Sequence, residues 1–346
     1  MTVDCIHPLT DARWKPFVER QPRASAFHTT EWLEALRHTY GFEPLAVAVV
    51  TPEGEIRSAI LYSAIESWLT GRRMVSLPFT DHCEPLVESE GDFQLLCEQL
   101  CRTCDENHYG YVELRPFTMS PPDDSGFAEG GRFYMHSLNL RLSLEEIFAA
   151  LNKDSTQRKI RRAEREGLTY RRGNSEELLH YFFPLLVRTR RRHGVPPQPL
   201  EWFRNLLACM EDAAVIRVAL KDEQPIAATL TLSFRDTVIY KYGCSDESHH
   251  PLGGMALVFW RMIQEAQMEK AVAVDLGRTD LDNPGLATFK EHWGAIRSPL
   301  TYWRYPAKAA GMPRSGWKAK LGTKLFSAMP ETLLVASGRI LYRHFA

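Results

Sequence analysis

The stretch from Ile226 to Tyr305 limits most what this chain can fold into. It opens with two runs of alternating Thr, Leu, Val, Ile and Tyr joined at Arg235-Asp236, which predicts a hairpin. After the polar loop SDESHHPLGG, a helix opens at Gly253-Gly254, with Leu257, Trp260, Ile263 and Ala266 spaced for one buried face. Ala271–Leu276 is almost wholly apolar and suits the middle of a sheet. A short helix through NPGLATFKEHWGA and an aromatic strand, LTYWRY, close the unit. Hairpin, helix, buried strand, helix, strand describes an α/β layer built on one sheet.

That order is the order of the acyltransferase core called GNAT, and the wording resembles its FemAB-like branch of acyl- and aminoacyltransferases. YKYGCSD, VDLGRTD and above all GLATFKEHWGA carry the resemblance. FHTTEWLEALRHTYG, SLPFTDHCEPL, RKIRRAEREGL and TRRRHGVPPQPLEWF are similar to further segments of the group in the same order, so the likeness runs over roughly residues 25 to 305. It implies two tandem GNAT-like α/β domains with mixed, mostly antiparallel sheets, followed by a helical tail. The second domain would supply the chemistry and the first would help to bind the acceptor, with the cleft between or beside them.

The upstream sequence fits a duplication. Trp32, Leu33, Leu36 and Tyr40 give a helix ended by Gly41, and strand-like runs cover 44–50, 56–65, 74–77, 111–114 and 134–140. An amphipathic helix spans 92–108. A capping box at Ser143 and Glu146 starts the second half. The expected boundaries are 1–140, 141–305 and a basic, helical tail at 306–346. That tail holds seven Lys and Arg against Glu331 alone. It reads as a helix pair packed on the domain, or as an amphipathic segment resting on an anionic membrane near a lipid-linked acceptor.

Composition excludes little beyond the extremes. Lys plus Arg at 42 against Asp plus Glu at 43 gives no electrostatic footprint for DNA and weakens a tRNA partner. No secretory signal and no run of about 18 apolar residues is visible, so the expectation is a cytoplasmic protein, at most peripheral to the membrane. The seven cysteines do not suggest a disulfide scaffold. Cys97, Cys101 and Cys104 fall on one helical stripe with Phe93, Leu96 and Leu100, which is a core pattern rather than an iron–sulfur loop. No His, Cys or carboxylate spacing suggests a metal.

N-acyl transfer needs a held donor, an amine brought against its carbonyl, a stabilised oxyanion and a proton route, but no nucleophilic side chain. The resemblance puts Phe289-Lys290 at the reaction centre, with the Lys cation near developing negative charge; an exposed helix lysine is the alternative. Asp275, near a central strand end, is placed to orient or deprotonate the amine, or simply to bond the next loop. Tyr240 and Tyr242 are two apart and share a face on a regular strand, as acceptor-binding or proton-donating hydroxyls or as core with wet tips. Gly253, Gly254 and Met255 open a helix, the position where GNAT enzymes seat the coenzyme A pyrophosphate, although the usual Arg or Gln followed by spaced glycines is missing. Two basic clusters, Arg158–Arg165 and Arg188–His193, are solvated faces or phosphate clamps. The resemblance selects Arg188 and Arg192 in the second, and it adds Asp81 in the PFTDH turn as an acceptor-site residue.

The reading that follows is an N-acyltransferase with acyl-CoA as donor and an amine-bearing sugar, peptide or lipid-linked acceptor from a cell-envelope or exopolysaccharide pathway. The alternatives are an aminoacyl-tRNA-dependent transferase acting on a peptidoglycan precursor and a non-catalytic scaffold of polysaccharide assembly.

Overall fold

The computed structural model describes residues 1–309 and 317–344. The chain divides into two compact units. One holds residues 1–133, 300–314 and 340–346; the other holds 134–299 and 315–339.

In the first unit, β1 (Thr2–Ile6), β2 (Pro44–Val50), β3 (Ile56–Ser67) and β4 (Gly71–Val75) form an antiparallel meander. α1 (Trp14–Arg20) and α2 (Thr30–Tyr40) lie between β1 and β2 in sequence. α2 is capped by the Thr29 side chain and stopped by Gly41 in the left-handed region. α3 (Glu90–Glu106) then crosses over to β5 (Val112–Leu114), which runs parallel to β4. A parallel neighbour requires such a crossover. Val47, Val49, Ile60, Tyr62 and Met74 pack on Phe93, Leu96, Cys97, Leu100 and Cys104 of α3, so Cys97 and Cys104 are core residues.

β6 (Ala128–Asn139) leads into the second unit. There α4 (Leu144–Ala150) starts on the reciprocal Ser143–Glu146 capping box. α5 (Arg158–Arg165), β7 (Thr169–Gly173), α6 (Glu176–Arg192) and α7 (Leu200–Met210) follow. β7, β8 (Ala214–Lys221), β9 (Gln224–Phe234) and β10 (Thr237–Ser245) form a second antiparallel meander. α8 (Gly254–Met268) crosses over to β11 (Ala273–Asp280), parallel to β10. α9 (Pro284–His292) and β12 (Ile296–Tyr305) complete the pattern.

The duplication is therefore visible strand by strand. The first unit orders its sheet β1-β2-β3-β4-β5 with β12 beside β5, and the second orders it β7-β8-β9-β10-β11 with β6 beside β11. Each sixth strand comes from the far end of the other half of the sequence, so neither unit is one continuous stretch. The tail also divides: α10 (Trp317–Ala328) and most of α11 (Glu331–Leu341) belong to the second unit, and Ile340 onward to the first. Backbones meet closely in the second unit. A Cβ on Gly194 would stand 2.3 Å from the Thr323 carbonyl oxygen, and one on Gly338 would stand 2.0 Å from that of Pro197. The tail thus packs on the Pro-rich loop as a helix pair; its residues 310–316 lie outside the described residues.

Candidate functional site

The site is built where β10 and β11 part. These parallel strands pair only from Thr237 to Ile239 against Ala273 to Asp275. Directly afterwards β10 carries a bulge, for Tyr240 faces Thr231 of β9 whereas Tyr242 faces its neighbour Leu230. Lys241 is the extra residue. A bulge shifts the side-chain alternation by one, so Tyr240 and Tyr242 point to opposite faces, contrary to the shared face expected from a regular strand.

Tyr240 lies on the α8 side, its ring 4.8 Å from Phe259. Tyr242 lies on the α7 side, edge-on to Phe203, and its hydroxyl accepts from Trp202 Nε1 at 2.9 Å. That bond and its burial make Tyr242 a core residue on the face away from Tyr240. The Tyr240 hydroxyl folds back over Gly243 so closely that a Cβ there would stand 1.6 Å from it. We predict that Gly243→Ala loses at least about 2 kcal/mol in chemical denaturation, as overpacked sites do. Adding Tyr240→Phe should recover only part of the loss, because the ring carbon behind the hydroxyl is still 2.7 Å away. Full additivity of the two substitutions would refute this contact.

At the end of β11 the polar side chains converge. Asp275 Oδ1 accepts the Gly277 amide at 2.7 Å, across a Gly277 whose φ of 74° a side chain rarely adopts. Lys290 reaches in from α9 and is only 3 % exposed. Its ammonium donates to the Gly277 carbonyl at 2.8 Å, the Arg278 carbonyl at 3.0 Å and Thr279 Oγ1 at 2.9 Å. Lys290 therefore clamps the β11 turn and is not an exposed helix lysine. Phe289, next to it, sits edge-on to Phe259 at 5.6 Å, in the same cluster as Tyr240.

His136 on β6 joins this network and was invisible in the sequence. Its Nδ1 lies 3.3 Å from Thr279 Oγ1. A hydroxyl can accept two bonds and donate one, so Thr279 links Lys290 to His136 Nδ1. Nε2 is buried without a hydrogen-bond partner among the described residues. Burial, with the Lys290 cation second, lowers the His136 pKa to about 4, so the ring is neutral at pH 7. Only its distance in sequence from Thr279 hid it.

The glycines at the start of α8 have a packing reason. Gly253 adopts φ 83°, and a Cβ there would stand 2.5 Å from the Lys159 carbonyl oxygen of α5. One on Gly254 would meet Ile226 Cδ1 at 2.9 Å. Met255 packs in the cluster formed by Ala163, Ile226 and Leu257. Close approach of α5 and β9 thus gives both glycines a packing reason.

The basic end of α6 borders a cleft of about 340 Å³ lined by Arg188, Arg191, Arg192, Ser245, Asp246 and Glu331, among others. Arg188 pairs with Asp246 at 2.9 Å and Arg192 with Glu247 at 3.7 Å. The Ser248 hydroxyl, and to a lesser degree Arg188, hold the Asp246 carboxyl below its usual range against the opposing effect of burial. Both arginines selected from the sequence thus meet at one cleft, each already facing a carboxylate.

In the first unit, Asp81 sits in a turn held from several sides. Arg115 donates to the Leu77 carbonyl at 2.8 Å and the Thr80 carbonyl at 3.0 Å, and the Tyr302 hydroxyl donates to the Asp81 carbonyl. Phe79 takes φ 59°, costly for a bulky residue, and packs against Tyr40, Phe42 and Tyr342. The Asp81 backbone is therefore rigidly placed.

With this geometry in view, the comparisons with known proteins agree. Residues 152–291 match the acetyltransferase (GNAT) domain family. A curated relative, the UDP-N-acetylmuramoylpentapeptide-lysine N(6)-alanyltransferase of Weissella viridescens, is 29% identical over 128 residues, which span 37% of this chain and 38% of that protein. The crystal structure of FemX superposes with a TM-score of 0.67 at 14% identity, covering 86% of this chain and 96% of that one. A tandem GNAT protein from the clavulanic acid biosynthesis pathway superposes with a TM-score of 0.55 at 12% identity, covering 90% and 100%. Residues 152–291 thus carry a GNAT acetyltransferase domain, and the fold is similar to that of a tandem GNAT protein. Over part of its length the chain is thus similar to a Fem-type alanyltransferase, and its fold is similar to that of FemX.

Proposed function

We propose that the protein transfers an acyl group to a primary amine of a cell-envelope or exopolysaccharide precursor. The parting of β10 and β11 carries this reading. Two parallel strands that stop pairing beside a bulge present backbone edges to an extended, amide-bearing substrate. Asp275, Lys290, Thr279 and His136 gather at one side of the opening. In this role Lys290 and Asp275 hold the β11 turn in the shape the reacting carbonyl requires, and His136 supports it through the contact of Nδ1 with Thr279 Oγ1. Tyr240 and Phe289 would shape the wall, and Arg188, Arg192 and Asp81 would serve the acceptor. The C-terminal tail would rest against the membrane that carries a lipid-linked acceptor. Among the described residues no helix is long and apolar enough to cross a membrane.

Two donors fit this chemistry, each with an observation behind it. The relative's name is that of an alanyltransferase, which favours an aminoacyl ester as the donor. The match to an acetyltransferase domain favours acyl-CoA. Gly253 and Gly254 already have a packing reason against α5 and β9, and the named relative is an alanyltransferase, so we take the aminoacyl donor as the leading reading. The test is to incubate the protein with UDP-N-acetylmuramoyl-pentapeptide and, separately, alanyl-tRNA, acetyl-CoA and longer acyl-CoAs, and to weigh the product. An alanylated product supports the leading reading, and an acylated one moves the donor to acyl-CoA. If no donor modifies this or any amine-bearing sugar acceptor, the proposed activity is wrong.

A further inference from the structure

The hairpin joining β3 to β4 in the first unit carries an apolar tip that the fold does not use. Trp68 is 83% exposed and Leu69 45% exposed, side by side in the three-residue loop 68–70 between Ser67 and Gly71. Other large apolar residues on this surface are scattered singly, which is ordinary. Two adjacent ones at the end of a hairpin are not.

The tip is also held rigid. Ser67 Oγ accepts the Leu69 amide at 3.1 Å and the Thr70 amide at 3.0 Å, and lies 3.1 Å from His344 Nδ1. Thr70 Oγ1 donates to the His344 carbonyl at 2.8 Å, and buried Arg73 donates to that carbonyl at 3.0 Å and to Thr70 Oγ1 at 2.6 Å. The His344 ring meets Trp68 edge-on at 5.4 Å. The end of the chain is thus bonded to the base of the turn, and it brings exposed Arg343 and Ile340, which is 60% exposed.

We propose that Trp68 and Leu69 form an interfacial anchor that inserts into an anionic phospholipid bilayer. A side chain with an apolar body and a polar N–H suits the headgroup boundary. A tip this small is far below the roughly 1,000 Å² that a stable protein interface buries, whereas a bilayer asks only for depth. Charge points the same way: Arg343, in the same unit and next to the His344 that bonds the turn, is exposed and complements anionic headgroups. The anchor deepens the membrane-side reading of the tail and adds a second contact, on a different element.

The test is co-sedimentation of the full chain with phosphatidylcholine vesicles with and without about one-third phosphatidylglycerol, beside brominated-lipid quenching of tryptophan fluorescence. The wild type should bind the anionic vesicles and be quenched. Trp68→Ser/Leu69→Ser should bind at least about tenfold more weakly, with an unchanged melting temperature because the tip is exposed. Lys318→Gln/Lys320→Gln/Lys324→Gln isolates the tail: if it abolishes binding while the hairpin variant binds like wild type, the tail reading stands and the anchor is wrong. No binding by the wild type overturns both. Self-association without vesicles that the hairpin variant abolishes would make the tip a protein contact and overturn the anchor.

Discussion

Lys290→Met should cost at least about a hundredfold in kcat/KM, the scale of removing a preorganised group from a transition-state site. It should also cost about 2–4 kcal/mol in stability, because the Gly277 and Arg278 carbonyls and Thr279 Oγ1 lose a buried donor together. Methionine keeps most of the stem's volume, so the loss belongs to the ammonium and not to a cavity. For a unit of this size the melting temperature should fall by roughly 5–15 °C. The joint loss identifies a clamp. Lost turnover with unchanged melting would instead make Lys290 a group that acts only in the transition state. Unchanged turnover would remove it from the site.

Glu113→Ala should be the more damaging change for folding, in the first unit. Glu113 is 1% exposed and bonds Arg115 Nε through one oxygen and Arg304 Nε through the other, both at 2.9 Å. Removing it leaves two buried guanidinium groups, Arg115 just after β5 and Arg304 on β12, without their shared carboxylate. Breaking a buried ionic group from one side costs about 3–5 kcal/mol. Arg115 also holds the Thr80 carbonyl, so the Asp81 turn should loosen in the same variant. Glu113→Gln, which keeps the shape and one acceptor, should cost less but remain clearly destabilised. A denaturation midpoint for Glu113→Ala within error of wild type would contradict this account.

Much of the architecture was legible because it depends on local pattern. The period of two in Ile226–Phe234, the helical stripe of Leu257, Trp260, Ile263 and Ala266, and the Ser143–Glu146 capping box each act within a few residues, and each element formed there. The motif GLATFKEHWGA placed Lys290 correctly on α9 beside the end of β11. Its partners were not legible. Three carbonyl and hydroxyl acceptors lie eleven to thirteen residues away, and only the fold of the β11 turn points them at one nitrogen.

The chain's own pattern pointed to a duplicated α/β protein with strands and helices in a similar order in each half, because hydrophobic periodicity and caps are short-range properties. Tertiary structure alone decided which face each candidate occupies and what it touches. The bulge at Lys241 sends Tyr240 and Tyr242 to opposite sides, since one inserted residue reverses a period of two and leaves no mark in composition. The glycines at 253 and 254 leave room for α5 and β9, and β6 and β12 each complete a sheet remote from them in sequence. His136 became part of the site only when Thr279 and Lys290 met it. Contacts between residues more than a hundred positions apart depend on packing of the whole unit, which no local window of the sequence contains.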